Sequence, residues 1–134
     1  MPFFASAPTP VGKRSAANVR RALTEQGSRY TYGRSGSTFG IIGKMSITAF
    51  ADYSARFDRT ETDNWAKPAY YFRIPGEFEV PGLGVPRVGD TVLIPAIRPT
   101  GQDQFDTYTV RGVFYDGIGN VVTQTRLYLA RLIA

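Results

Sequence analysis

Apolar positions along the chain follow two rhythms that meet at Gly27. Over residues 15–26, Ala16, Val19, Ala22 and Leu23 recur at helical spacing, Ser15 stands where an N-cap belongs, and Gly27 supplies a C′ stop. This predicts one short helix over 15–26, with Arg20 and Arg21 off its narrow apolar stripe. A helix of about three turns is marginal alone in water, so it must lean on the rest of the chain. After Gly27 the rhythm shortens to alternation. SRYTYG alternates around Tyr30 and Tyr32, STFGIIG follows, and Met45, Ile47, Ala49 and Ala51 alternate with Ser46, Thr48, Phe50 and Asp52. AYYFRI (69–74), TVLI (91–94), FDTYTVRGVFY (105–115) and TRLYLARLI (125–133) complete the series. The expected fold is mainly β: a small antiparallel barrel or sandwich of about six strands, with one short N-terminal α-helix and long loops.

Turn residues divide the strands. Pro75-Gly76 and Pro95 are expected to end strands, because proline cannot sit inside a ladder. YDGIGN (115–120) carries Asp116-Gly117 and Gly119-Asn120, a hairpin signal joining the last two strands. Two connections are too long for tight turns: 54–68, polar and carrying the sole tryptophan, and 95–104. Structureless connections beyond about 12 residues are usually functional or disordered, and 54–68 is the stronger functional candidate. Residues 1–14 read as a flexible arm and 15–134 as a single barrel domain. Phe3 and Phe4 on that arm must fold back on the core or dock on a neighbouring subunit, since an exposed pair would be a liability.

Composition narrows the chemistry. With no histidine and no cysteine, Ser-His-Asp and Cys-His arrangements, thiolate metal sites and disulfides are excluded. Glu77 with Glu79, and Asp58, Glu61 and Asp63, read as solvated carboxylates with no apolar pocket to shift them. GIIGKMS fails as a phosphate loop, having Thr38 where a glycine is needed and Met45 after Lys44. Asp58, Glu61 and Asp63 have the wrong spacing for a calcium loop. No enzyme, metal or cofactor is expected. No apolar run approaches the roughly 18 residues of a membrane span, and an intracellular place of synthesis is expected. The net charge of +5 is lopsided: residues 1–44 carry seven cations and one anion, including Lys13, Arg14, Arg20 and Arg21. Such asymmetry points to an acidic surface or nucleic acid as partner. Tyr30, Tyr32, Tyr70, Tyr71 and Phe72, with Arg29, Arg34 and Arg73, are candidates for a single-strand nucleic-acid platform, against ordinary packing of about half those rings.

The succession VPRVGDTVLI, a variable loop, YTVRGVFYDGIGN and TRLYLAR, over about residues 85–132, resembles the head–tail joining proteins of tailed bacteriophages, also called head-closure or stopper proteins. The resemblance implies a structural virion protein, made in the host cytoplasm. Its identical subunits would form a homo-oligomeric ring, twelvefold or sixfold, sealing the DNA-filled head. The ring would meet a portal or adaptor ring on one side and a tail terminator or tail tube on the other, touching packaged DNA transiently. On this reading Phe3, Phe4, Leu132 and Ile133 contact neighbouring subunits or the adjoining ring. The loop bearing Arg56, Asp58, Arg59, Glu61, Asp63 and Trp65 projects towards the channel. Lys13, Arg14, Arg20 and Arg21 face DNA or an acidic portal surface. Another neck or tail component, such as a tail terminator, is the nearer alternative, and a single-strand-binding barrel the more distant one.

Overall fold

The structure, a computed structural model, describes residues 7–47, 57–76, 84–97 and 103–132. Alternating inward side chains produce six strands: β1 (Ser28–Arg34), β2 (Ser37–Ile47), β3 (Trp65–Pro75), β4 (Thr91–Ile97), β5 (Asp103–Ile118) and β6 (Val121–Leu132). They follow one helix, α1 (Pro10–Gln26), and close an antiparallel barrel in the order β1-β2-β3-β6-β5-β4. Closure falls to β1 and β4, which pair over only Thr31–Leu93, Tyr32–Val92 and Gly33–Thr91. Tyr32, Ile41, Phe72, Ile74, Val92, Ile94, Tyr108, Val110, Leu127 and Leu129 fill the interior.

Strand β6 is buried on both faces. Leu127 and Leu129 enter the barrel, while Tyr128 and Ala130 join Trp65 and Ala69 in a second cluster on its outer side. Phe57, Tyr71 and Phe114 pack against that cluster. Two hairpins turn through paired positive-φ residues, Ser35-Gly36 (φ 51° and 87°) and Gly119-Asn120 (φ 57° and 59°). Such pairs match the twist of the flanking strands, which is why Asn-Gly chemistry marks hairpins so well.

Four expectations require correction. The helix begins at Pro10, not Ser15, so the last residues of the expected arm are helical. Thr9 is the N-cap: its Oγ1 accepts from the Gly12 N–H at 3.1 Å and donates to the Gly119 carbonyl at 3.1 Å. Pro10 then takes the first helical position, where a missing N–H costs nothing. The apolar stripe shifts with it: Leu23 is buried, whereas Ala22 is exposed. Secondly, Pro95 does not end β4, which continues to Ile97 with Pro95 opposite Phe105. A proline is tolerated there because the ladder to β1 has already stopped at Leu93, leaving that side of β4 open. The expected loop 95–104 shrinks accordingly, with 98–102 outside the described residues. Thirdly, STFGIIG and KMSI form one strand, and residues 48–56 lie outside the described residues.

The fourth correction concerns 54–68. Arg59–Thr62 forms a single helical turn, and Trp65 already belongs to β3. The indole is 3% exposed. A large ring with one N–H gains most by burial beside a single acceptor, and Glu61 supplies that acceptor at 3.3 Å.

Candidate interaction surfaces

Polar side chains that look functional in the sequence brace turns in the fold. Asp90, at the entry to β4, is 3% exposed. Arg34 reaches it from the end of β1, with Nε 2.7 Å from Oδ1 and Nη2 2.7 Å from Oδ2. Tyr32 donates its hydroxyl to the same carboxylate, and the Arg87 N–H donates to Oδ2 at 2.9 Å. Arg34 also donates to the Val85 carbonyl at 2.8 Å. Burial pushes the Asp90 carboxyl up, but Arg34, Tyr32 and the Arg87 N–H outweigh it and hold the pKa below the usual carboxylate value. Burial, reinforced by Asp90, pushes the Tyr32 hydroxyl far above the ordinary phenol value. Gly89 (φ 99°) and Asp90 make the turn into β4, and nothing in the sequence reveals that Tyr32 and Arg34, more than fifty residues away, converge there.

A second brace holds the segment before β3. A β-bulge between Val110 and Gly112 leaves Arg111 as the extra residue of β5. Bulges re-aim side chains, and this one directs the Arg111 guanidinium onto Glu61, with Nε 2.8 Å from Oε1. Arg111 holds the Glu61 carboxyl below its ordinary range despite partial burial, and the Trp65 indole N–H adds to the effect. Gly112 beside it admits the Phe57 ring; a Cβ there would stand 2.5 Å from the ring edge.

The expected channel residues therefore separate. Glu61 and Trp65 are structural partners, whereas Asp58, Arg59 and Asp63 are exposed. Arg59 and Asp63 form a solvent-facing pair at 3.6 Å. Arg56 lies outside the described residues, as do Phe3, Phe4 and Ile133. Leu132 ends β6 and is 49% exposed. Lys13, Arg14, Arg20 and Arg21 are all exposed on α1 and form a basic helix surface.

Exposed apolar residues were not singled out by the sequence, apart from Leu132. Val11 on α1 and Ile118 at the β5–β6 hairpin are exposed at one end of the barrel. Ile47 and Leu132 end β2 and β6 at the other, and Phe105 lies near the start of β5. The stacking candidates, in contrast, are occupied. Tyr30 packs edge-on to Phe72 at 5.1 Å, Tyr70 to Tyr108 at 5.0 Å, and Tyr71 lies 5.3 Å from Tyr128. Tyr32 and Phe72 belong to the interior.

Among the described residues no three acidic side chains converge as a metal site would require. No described helix is long and apolar enough to cross a membrane. Compared with known proteins, the chain matches no family model, no curated protein and no solved structure.

Proposed function

We propose that this protein is a structural subunit of a virion neck, a head-closure ring that joins the DNA-filled head to the tail and helps retain DNA. The observation that supports the ring is the exposure of large apolar side chains towards both ends of the barrel. Val11 and Ile118 are exposed at the hairpin end, and Ile47, Phe105 and Leu132 near the opposite strand ends, on a barrel whose interior is already complete. Exposed apolar side chains at different places on one subunit suit the head-to-tail contacts that close a ring. The resemblance of residues 85–132 supplies the neck, and with it the portal or adaptor and the tail as partners. The exposed cations Lys13, Arg14, Arg20 and Arg21 offer α1 to an acidic ring surface.

The single-strand-binding alternative loses its platform, because Tyr30, Tyr32, Tyr70, Tyr71 and Phe72 pack within the protein. The test is electron microscopy of the protein mixed with DNA-filled, tailless heads. A ring is expected below the portal, and Phe105→Asp or Ile118→Asp should abolish it while the monomer stays folded. Failure of the unaltered protein to add any ring would overturn the proposal.

A further inference from the structure

Three cations stand side by side on neighbouring strands. Lys44 on β2 is directly opposite Arg73 on β3, and Arg73 is directly opposite Arg126 on β6. All three lie on the outer face, since Met45, Phe72, Ile74 and Leu127 beside them turn to the core. Directly opposed residues in antiparallel strands are about 4.5–5.5 Å apart at Cα, and like charges so placed destabilise a sheet.

Little among the described residues offsets that repulsion. Among the described residues one carboxylate reaches the row: Asp116, 2.8 Å from the Arg126 Nε. Lys44 Nζ meets, among those residues, the neutral Gln26 Oε1 at 3.4 Å. The buried Arg73 Nε has no hydrogen-bond partner among the described residues, and the Arg126 Nε has an ion pair but no well-aligned hydrogen bond. Gln26 ends α1 on one side of the row, and the packed rings of Tyr71 and Tyr128 form the next outer row on the other. Positive charge continues past the row. Arg20 and Arg29 line a groove of about 240 Å³ with Ile42 and Pro75, each two residues along the strand from Lys44 and Arg73.

We infer that the row Lys44–Arg73–Arg126 binds the phosphodiester backbone of nucleic acid without regard to sequence. A line of cations at strand spacing calls for anions of matching density. Duplex DNA offers about one charge per 1.7 Å of axis. Carboxylates packed that tightly on a protein surface would suffer the same like-charge penalty as the row itself. Two of the three cations are arginines, whose planar forks fit phosphate oxygens. The neighbouring Tyr71 and Tyr128 rings pack on each other, so the contact is to backbone and not to stacked bases. This deepens the neck reading, which supplies the DNA, and moves the contact from the 54–68 segment to the barrel wall. With Arg126 held by Asp116, two phosphate contacts give a weak, salt-sensitive grip, roughly 12-fold weaker at 200 mM than at 50 mM salt.

The test is titration of a labelled duplex of mixed sequence with the full chain over a range of salt, with polyglutamate as competitor. Lys44→Gln and Arg73→Gln should each reduce the slope of log affinity against log salt by about 0.9. Arg59→Gln removes an equal charge from a 91% exposed site elsewhere and should leave the slope unchanged. Asp116→Asn, which frees Arg126, should tighten binding, and this gain keeps the test decisive if Arg73→Gln does not fold. Equal slope losses in Lys44→Gln and Arg59→Gln would overturn the proposal, as would unchanged slopes in both row variants. Competition by polyglutamate as strong as by unlabelled DNA would assign the row to an acidic protein instead. Rings that still form on heads while the slopes fail to move would remove this inference alone; absence of rings would remove the neck reading alone.

Discussion

Arg34 grips Asp90 side-on, each carboxylate oxygen receiving one guanidinium N–H at 2.7 Å. Arg34 ends β1 and Asp90 precedes β4, so the pair straddles the barrel's closing seam. Asp90→Asn removes the charge but leaves Arg34 half-buried against it. Breaking such a pair from one side costs about 3 kcal/mol, to be read from denaturant midpoints. The pH dependence follows from the lowered pKa of Asp90. Its contribution is fully present above the ordinary carboxylate pKa and is lost as pH falls through the depressed native value. Asp90→Asn should lack that part of the acid-induced loss; equal acid sensitivity in both proteins would refute the assignment.

Tyr32 is the buried donor in the same network. Tyr32→Phe should cost about 1 kcal/mol. It also removes one of the groups that lower the Asp90 pKa, so the acid-induced loss becomes smaller and is complete at a higher pH. Stability measured across the acid range in both proteins checks the size and the position of the change together.

Glu61 accepts from both Arg111 and the Trp65 indole. Trp65 is the only tryptophan in the chain, so its emission reports this brace directly. Acidification should shift the emission at a pH below the ordinary glutamate pKa, because the native Glu61 is held low. Glu61→Gln should abolish that step. Persistence of the step in the variant would place its origin elsewhere.

Gly119 has φ 57°, and a Cβ there would stand 2.0 Å from the Thr9 Oγ1. Gly119→Ala therefore strains the hairpin and displaces the helix cap at once, with a loss of about 2 kcal/mol or more in chemical denaturation. Thr9→Ala, which removes the cap alone, should cost about 1 kcal/mol. The two losses should not add in the double variant, because both act on one contact.

Local chemistry was legible and distant convergence was not. Alternation located the strands, and Gly119-Asn120 marked the hairpin, because both signals act within a few residues. Pro95 misled because tolerance of a proline depends on where the neighbouring strand stops, here at Leu93. Trp65 misled because a polar stretch of sequence hides an indole that is buried by Phe57, itself between Arg56 and Asp58, and by Tyr128, more than sixty residues away. The helix start was misplaced because Thr9 caps it through a contact with Gly119, 110 residues away. The cation row has no sequence signature at all, since Lys44, Arg73 and Arg126 meet only through strand register.

The seam between β1 and β4 also sets how the barrel comes together in time. Hairpins β1–β2 and β5–β6 join near neighbours and can form early, whereas Gly33 must find Thr91, 58 residues away, for three residue pairs. Loop-closure entropy makes such a contact late and slow. The Arg34–Asp90 pair then acts as a latch: until it engages, the chain is an open curved sheet with two free edges. Amide protons of Thr31 to Gly33 should accordingly be among the last in the sheet to gain protection during refolding.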